Sequence, residues 1–435
     1  MQTKSLEAEA RANSDKYEWV VAADLYDQIA RQYAIHGNTL EQSRNFSLAG
    51  ECVFKAAFQA PDPAEFQRRM LKSKEIFDYA SRQFDNAGTN GYSKLIRSRS
   101  LFVDFFMTGE TSEQRKTVGA SISMVEEAIK ILENSKDRGG VAKARSILLA
   151  YLSESVPLTQ RYSDFRQQLE LVLTLGEAAA NDEDWAQHSE VMLESLWRAV
   201  VCSAMYFDYA FSVSEIEPIA TRIRLLGKRL AEISNVMQTE YSRAIKADAA
   251  AFLAFNFEGD PSKASAIFSE GLTHAKLTKD SLLIAWFALQ SASTGTSSFL
   301  HVDDAEKRRE ILERSRTLCE EAIRSLDISK SPRLLQNVYG CYAEYYGYLA
   351  RFVETDTLAK TRALNEAVEL VKVSRSLGDF VHTWSLSYYI YFLCLLMENR
   401  EEKSHHLEEA LALAEVDAKK LDLHENPDST SRATV

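Results

Sequence analysis

Apolar residues recur every three or four positions along almost the whole chain of 435 residues, a spacing that predicts amphipathic α-helices. No segment shows the strict alternation of apolar and polar residues that is typical of β-strands. Between its loop signals the chain has about eighteen predicted helices, and the short loops indicate that consecutive helices lie antiparallel. Their approximate spans are 4–13, 17–37, 39–60, 62–85, 91–108, 111–134, 139–153, 157–181, 183–209, 213–234, 236–257, 260–277, 280–300, 302–326, 331–352, 357–376, 379–398 and 400–422.

Capping residues mark many of the predicted helix starts. Asp62-Pro63, Asp260-Pro261 and Ser331-Pro332 each place an N-cap residue before a first-turn proline. Ser214 and Glu217 have the spacing of a capping box. The chain has only 16 glycines and 7 prolines. Because both residues are costly inside helices, their scarcity fits an almost entirely helical chain.

Four segments repeat one pattern, in which a helix ends, a short polar loop follows and the next helix begins. Their anchor residues Tyr92, Trp185, Leu282 and Phe380 lie 93, 97 and 98 residues apart. Four predicted helices fit between successive anchors, so one helical hairpin takes about 48 residues. A hairpin of this kind cannot bury its apolar faces alone and must stack on its neighbours.

The pattern therefore predicts an all-α fold, a right-handed superhelical α-α solenoid of about eight to nine antiparallel helical hairpins. The solenoid is expected to span residues 14–422, after an N-terminal lead-in at 1–13 and before a disordered tail at 423–435. The tail is polar and carries no packing signal.

Apolar residues occupy two faces of the predicted helix 331–352, as expected for an interior helix that packs on both sides. Tyr339 and Tyr346 lie on one of these faces. Aromatic side chains that line a groove can anchor a bound peptide, so these two tyrosines are the candidate binding residues. Aromatic stripes at helical spacing also occur in cores, and this alternative stays open.

The net charge of −12 and the pI near 5.4 leave no basic footprint for nucleic acid at the level of the whole chain. The basic segments 68–74 and 221–229 are interpreted as solvated helix faces. Two uncharged runs, 281–301 and 380–397, approach the length of a membrane span. Both contain Ser, Thr or His, so we interpret them as buried helices and expect no membrane insertion.

The five cysteines are scattered, with no CxxC motif. This spacing fits neither a disulfide framework nor a zinc site, and favours buried free thiols in a reducing compartment. The N-terminus lacks the apolar region of a secretory signal. A cytoplasmic location is expected, without a metal or another cofactor.

Signatures of helical enzymes are weak or absent, so we predict a non-enzymatic protein without catalytic residues. Glu402 and His405 supply half of a di-metal site, and no second pair accompanies them. Arg31 and His36 have the spacing of a ribonuclease motif, which leaves a helical nuclease as an alternative. The acidic segment 302–307 is interpreted as a helix N-terminus.

The segment "GDPSKASAIFSEGL", residues 259–272, resembles the loop and second helix of a tetratricopeptide repeat. The matching residues are Gly259 and Asp260 in the loop, Ala264 as the small residue, Phe268 as the aromatic, Phe255 in the preceding helix, and Gly271 where the family usually has alanine. Phe252 departs from the pattern, because a small residue is usual there. The hairpin length also exceeds the family's usual repeat of about 34 residues, so the chain is better described as tetratricopeptide-like.

The N-terminal segment 16–30 repeats this pattern with Ala22, Tyr26 and Ile29. Together with 47–58 it resembles the opening helices of soluble NSF attachment proteins, a related helical-repeat family. The resemblance implies no catalytic residues. It implies that a partner protein or peptide binds in the concave groove.

The predicted function is therefore a protein- or peptide-binding scaffold or regulator. The alternative is the sensor or interaction part of a larger signalling or defence protein whose catalytic domain is not in this chain. If the groove shares the acidity of the whole chain, it would favour a basic partner. The sequence does not define the partner or the oligomeric state.

Overall fold

The computed structural model describes residues 2–159, 161–182, 189–329 and 331–378, and within these ranges it has helices and no strands. The sixteen α-helices are α1 (Gln2–Asp15), α2 (Trp19–Ile35), α3 (Thr39–Ala57), α4 (Pro63–Asn86), α5 (Asn90–Met107), α6 (Thr111–Asn134), α7 (Arg138–Ser155), α8 (Tyr162–Ala180), α9 (Ser189–Ala210), α10 (Val213–Met237), α11 (Glu240–Phe257), α12 (Pro261–Thr278), α13 (Ser281–Ser298), α14 (Ala305–Ser329), α15 (Pro332–Tyr348) and α16 (Thr357–Ser376). Short 3₁₀ turns lie at Val156–Leu158 and Phe299–His301, and a π-helical turn lies at Leu349–Val353.

Each helix packs against the next along the chain, which confirms the predicted all-α solenoid of hairpins. The odd-numbered helices form an inner layer, because α7 packs on α9, α9 on α11 and α13 on α15 as well as on their sequence neighbours. α13 is buried on nearly all sides, as predicted for the run 281–301. α14, in the outer layer, buries only one stripe of residues. No helix in the described part of the chain combines the length and apolarity that a membrane span requires.

The predicted lead-in 1–13 forms most of α1. Leu6 and Ala10 of this helix pack against Leu25 and Ile29 of α2. The predicted helices 379–398 and 400–422, the tail 423–435 and the anchors Trp185 and Phe380 lie outside the described residues. The anchors Tyr92 and Leu282 lie in the first turns of α5 and α13, eight helices apart, as the repeat pattern predicts.

Two of the predicted caps are confirmed: the Asp62 side chain accepts the Glu65 backbone N–H, and the Asp260 side chain accepts that of Lys263, each at 2.8 Å. The capping box of α10 was predicted two residues too late. It joins Ser212 to Glu215, so the helix starts at the first possible cap after the loop.

The start of α8 was also predicted wrongly. Pro157 lies in the 3₁₀ turn after α7, and α8 begins only at Tyr162. Proline fixes its own φ and lacks a donor, which suits a tight turn as well as the first turn of a helix. The proline alone therefore does not distinguish a 3₁₀ turn from the start of a helix.

The segment 259–272 forms the end of the loop between α11 and α12 and most of α12. Gly259 ends the loop with φ of +67°, and Ala264 and Phe268 are fully buried. A Cβ atom on Gly271 would lie 2.2 Å from the Phe287 ring of α13. Gly271 is thus required by the close approach of the two helices, where an alanine of the repeat pattern would not fit.

We predict that Gly271→Ala destabilises the fold although alanine is the better helix former. In an open helix the same change stabilises by about 0.5–1 kcal/mol, whereas overpacking costs about 1–3 kcal/mol. Gly119→Ala is the matched control, because no atom lies within 4 Å of the added Cβ. In urea unfolding, the midpoint should fall for Gly271→Ala and rise for Gly119→Ala, each relative to wild type. Equal midpoints would contradict the packing described at Gly271.

The chain closes on itself where the loops of its first helices meet loops about 220 residues later. We call this contact the seam; it comprises residues 17–18, 58–59, 239–241 and 278–281. The Tyr241 backbone N–H donates to the Tyr17 hydroxyl at 2.7 Å, and the Ser281 backbone N–H donates to the Phe58 carbonyl at 2.9 Å. These bonds join the α1–α2 loop to the start of α11, and the α3–α4 loop to the start of α13.

The Gln59 amide is the centre of the seam. Its Nε2 group donates to the Thr278 carbonyl at 2.7 Å and to the Tyr17 carbonyl at 3.1 Å. Tyr17 itself has φ of +60°, a conformation that costs a non-glycine residue about 1 kcal/mol. The Gln59 amide, in the α3–α4 loop, thus joins the α1–α2 loop and the end of α12, and it satisfies one backbone carbonyl of each.

Apolar packing extends the seam. Leu282 of α13 and Ile328 of α14 pack against the cluster that contains Phe58 and Phe66, and α14 contacts α4. The helix ends of the second superhelical turn therefore rest on the helix ends of the first. Contacts between helices ten positions apart, such as α4 with α14, thus supplement the packing of sequence neighbours.

We predict that Gln59→Glu weakens the fold, since a carboxylate cannot donate to the two carbonyls. Leaving buried acceptors unpaired costs about 1–3 kcal/mol. Gln42→Glu is the control, because Gln42 makes one exposed hydrogen bond, to the Tyr79 hydroxyl. Chemical denaturation should show a lower free energy of unfolding for the first variant only. A loss of equal size in both would argue against the seam.

Candidate functional site

Charged side chains on the inner helices meet across the inside of the superhelix. The Lys143 ammonium of α7 lies 3.3 Å from a Glu51 carboxylate oxygen of α3, and Arg333 of α15 lies 3.0 Å from Glu154 of α7. These pairs join helices that are far apart in sequence, so they face the concave side. We call this the inner polar surface; its members are Glu51, Lys55, Arg99, Lys143, Glu154, Glu194, Arg198, Tyr241 and Arg333.

The inner polar surface is recessed but not fully closed to solvent. Glu154 and Arg333 keep 16% and 19% of their side-chain surface exposed, and Glu51 and Lys143 keep 20% and 34%. Charges that were fully dehydrated would cost several kcal/mol each before pairing, about as much as the pairing returns. The remaining exposure of these side chains lowers this cost.

Three cations lie within electrostatic range of Glu51. Burial alone would raise the pKa of the Glu51 carboxyl, but Lys143, Arg99 and Lys55 lower it to about 2. Glu51 is therefore ionised at neutral pH, and three cations share this one carboxylate at the junction of α3, α5 and α7.

The middle of the surface is a network that joins α9 and α11. Arg198 lies 2.8 Å from Glu194, which also accepts a hydrogen bond from the Tyr241 hydroxyl. Burial and the Glu194 charge raise the pKa of Tyr241 well above its usual value. The phenol therefore stays protonated and donates to the carboxylate, which fixes α11 against α9.

Asp248 lies at the centre of the inner layer and is fully buried. Its two carboxylate oxygens accept hydrogen bonds from the indole N–H groups of Trp197, at 2.7 Å, and Trp286, at 2.9 Å. Burial raises the pKa of the Asp248 carboxyl to about 7. The two indole hydrogen bonds lower the pKa, but the effect of burial is larger. One side chain of α11 thus ties α9 to α13.

We predict that Asp248 makes the stability depend on pH. Unfolded aspartate has a pKa of about 3.9, so the folded state holds the proton more tightly and loses stability as the pH rises from about 4 to about 7. Asp248→Asn cannot ionise. The difference in unfolding free energy between Asp248→Asn and wild type should therefore shift in favour of the variant by about 2–3 kcal/mol as the pH rises from about 5 to about 8.

Urea unfolding at several pH values measures this difference. Asp327→Asn on α14 is the control, because Asp327 is exposed. A difference between Asp248→Asn and wild type that does not change with pH would contradict the raised pKa.

The predicted binding residues Tyr339 and Tyr346 share one side of α15, away from the inner polar surface. At about 100° per residue, they lie about 120° and 140° around the helix from Arg333. Tyr346 stacks on Tyr342, with ring centroids 5.4 Å apart, and packs with the apolar residues between α15 and α16. Tyr339 is half-buried. Their role in binding stays a prediction.

The structure separates the residues of the candidate ribonuclease motif. Arg31 is exposed and pairs with Asp27, Nε to Oδ2 at 2.6 Å, while His36 lies exposed at the end of α2. Five residues of helix place them about 140° apart. The acidic segment 302–307 is the N-terminus of α14, where Asp304 accepts two backbone N–H groups. Glu402 and His405 lie outside the described residues.

The four described cysteines are free and buried, as predicted: Cys52, Cys202, Cys319 and Cys341. Burial raises the pKa of Cys52 to about 11 and that of Cys202 to about 12, so neither is a reactive thiolate at neutral pH. Among the described residues, no group of three or more His, Cys, Asp or Glu side chains is arranged to hold a metal ion. Cys394 lies outside the described ranges.

The fold and the inner surface define a helical-repeat protein. No protein-family model matches the chain, and no curated protein matches it. Among solved structures, all of the chain aligns with 96% of a circular tandem repeat protein with a novel repeat topology, at 13% identity and a TM-score of 0.23. The chain also aligns over 89% of its length with 97% of Nro1, described as a hypoxic regulator of sterol synthesis and a nuclear import adaptor, at 13% identity and a TM-score of 0.22. Likenesses this distant assign no family.

Proposed function

We propose that the protein is a non-enzymatic scaffold or regulator that binds a segment of a partner protein on its inner polar surface. The observation that carries this proposal is the set of ion pairs across the inside of the superhelix, which remain partly exposed to water. Fixed, partly hydrated charges on rigid helices suit recognition of a complementary segment more than they suit packing.

Rigid placement of these groups supports the proposal. The seam fixes the curvature of the first turn, and the Asp248 hydrogen bonds fix the spacing of α9, α11 and α13. A preformed surface avoids part of the ordering cost of binding. The tetratricopeptide-like pattern at 259–272 supports binding of a protein segment in the groove by resemblance. We also propose a cytoplasmic location, on the grounds of cysteine usage and the N-terminal sequence.

The proposal is tested by selecting peptides from a random displayed library against the purified full chain. Dissociation constants of the enriched peptides are then measured for wild type, Lys143→Glu and Lys72→Glu. Lys143 belongs to the inner polar surface, whereas Lys72 is exposed on α4 and pairs with Glu75. Thermal unfolding checks that both variants fold.

We expect Lys143→Glu to change the dissociation constants by about tenfold or more, and Lys72→Glu to change them by less than about twofold. This result would place the bound segment on the inner surface. Failure to enrich any peptide, or equal binding by the three proteins, would overturn the proposal.

A further inference from the structure

Arg99 is held between two aromatic rings, within electrostatic range of Glu51 but without a direct ion pair among the described residues. Its guanidinium lies over the rings of Phe54 and Phe77, 5.7 Å and 5.6 Å from their centroids. The two aromatic faces fix the group by cation–π attraction. It forms no direct hydrogen bond or ion pair with the described residues, and its side chain is half-buried.

Lys55 and Lys143 complete a cluster of cations around Glu51. The Lys55 ammonium lies 4.5 Å from the centre of the Trp19 ring and has no hydrogen-bond acceptor in the described part of the chain. Lys143 contacts one oxygen of Glu51, at 3.3 Å. Three cations thus lie within electrostatic range of a single ionised carboxylate.

Asp280 is a second acid near this cluster, within electrostatic range of Lys55. Its Oδ1 atom already accepts the backbone N–H groups of Leu282 and Leu283, at 2.9 Å and 3.0 Å, as the cap of α13. Counting both acids, the cluster keeps an excess of positive charge in a chain whose net charge is −12. The inner surface therefore does not share the acidity of the whole chain at this point.

We propose that Arg99, Lys55 and Lys143 form a binding site for an oxyanion, a carboxylate or phosphate group. Guanidinium and ammonium donors make their strongest hydrogen bonds with such groups. An incoming oxyanion would take up the unused donors of Arg99 and Lys55 and stand opposite Glu51. Glu51 holds the cations in place and is not itself a ligand for the anion.

The anion is carried by an acidic segment of the partner, a statement that rests on the proposed function. At this end of the groove, next to the seam, the cluster favours an acidic partner segment, whereas the acidity of the whole chain suggested a basic partner. The site itself depends only on the local geometry, so a free anion tests it without any partner.

Isothermal titration of the full chain with inorganic phosphate at low ionic strength is the direct experiment. We expect saturable binding that Arg99→Gln weakens about tenfold or more, and that Arg99→Lys partly restores. Arg97→Gln is the matched control, because Arg97 lies on the same helix and is exposed; it should change the affinity by less than about twofold. Added sodium chloride should weaken binding, since mobile ions screen the cluster.

A second arm replaces phosphate with a hexaglutamate peptide and, separately, with a hexalysine peptide. Tighter binding of hexaglutamate than of phosphate would show that a peptide is the better carrier of the anion; tighter binding of phosphate would identify a site for a free oxyanion. No saturable binding of either anion, equal affinities in Arg99→Gln and Arg97→Gln, or preferential binding of hexalysine would overturn the inference.

The failure of this inference is distinguishable from that of the proposed function. If the library yields peptides that need the inner surface but ignore Arg99→Gln, the scaffold stands and the oxyanion site does not. If phosphate binds as expected while the library enriches nothing, the site stands and the scaffold does not.

Discussion

The end-to-end contact between successive turns of the superhelix is the constraint on which the rest of the structure depends. A stack of helical hairpins has no inherent limit to its curvature, because each hairpin contacts only its neighbours. Here the Gln59 amide bonds to Thr278 and to Tyr17, and Phe58 bonds to Ser281. Contacts about 220 residues apart in sequence thus fix the pitch, and the inner helices are held at one distance across the axis.

The fixed inner layer explains why charged side chains persist inside the molecule. Glu154 and Arg333, on α7 and α15, meet only because the array curves back toward itself. An ion pair of this kind contributes little net stability, but losing one partner leaves a costly unpaired charge. The pairs therefore act mainly to select one arrangement of the helices. Asp248 does the same between Trp197 and Trp286.

Much of the fold follows from local signals that the sequence displays. The starts of α4 and α12 were predicted correctly because Asp62 and Asp260 supply both the side-chain cap and the proline that follows it. α8 was placed too early, since Pro157 fits a 3₁₀ turn equally well. Gly271 looked like a departure from the repeat pattern, and only the Phe287 ring explains it.

The inner polar surface was not predicted, for a physical reason. A charged residue at helical spacing is the same in sequence whether it faces solvent or the inside of a superhelix, and long-range closure decides between them. Asp248 did give a local signal, because it stands alone in the apolar run "ADAAAFLAF" at 247–255. The predicted tyrosines, Tyr339 and Tyr346, form a visible stripe in the sequence, and Tyr346 packs with the apolar residues between α15 and α16.

The distance between Glu18 and Lys279 tests the closed superhelix most directly, because these exposed residues lie 261 positions apart and form an ion pair of 3.2 Å. Spin labels on Glu18→Cys and Lys279→Cys, in a Cys394→Ser background, report this distance by pulsed electron resonance. The closed superhelix predicts one narrow distribution at about the combined length of the two labels, about 10–20 Å from rotamer reach. An open array of hairpins about 10 Å apart would instead give a broad distribution near about 50 Å, and this would contradict the account.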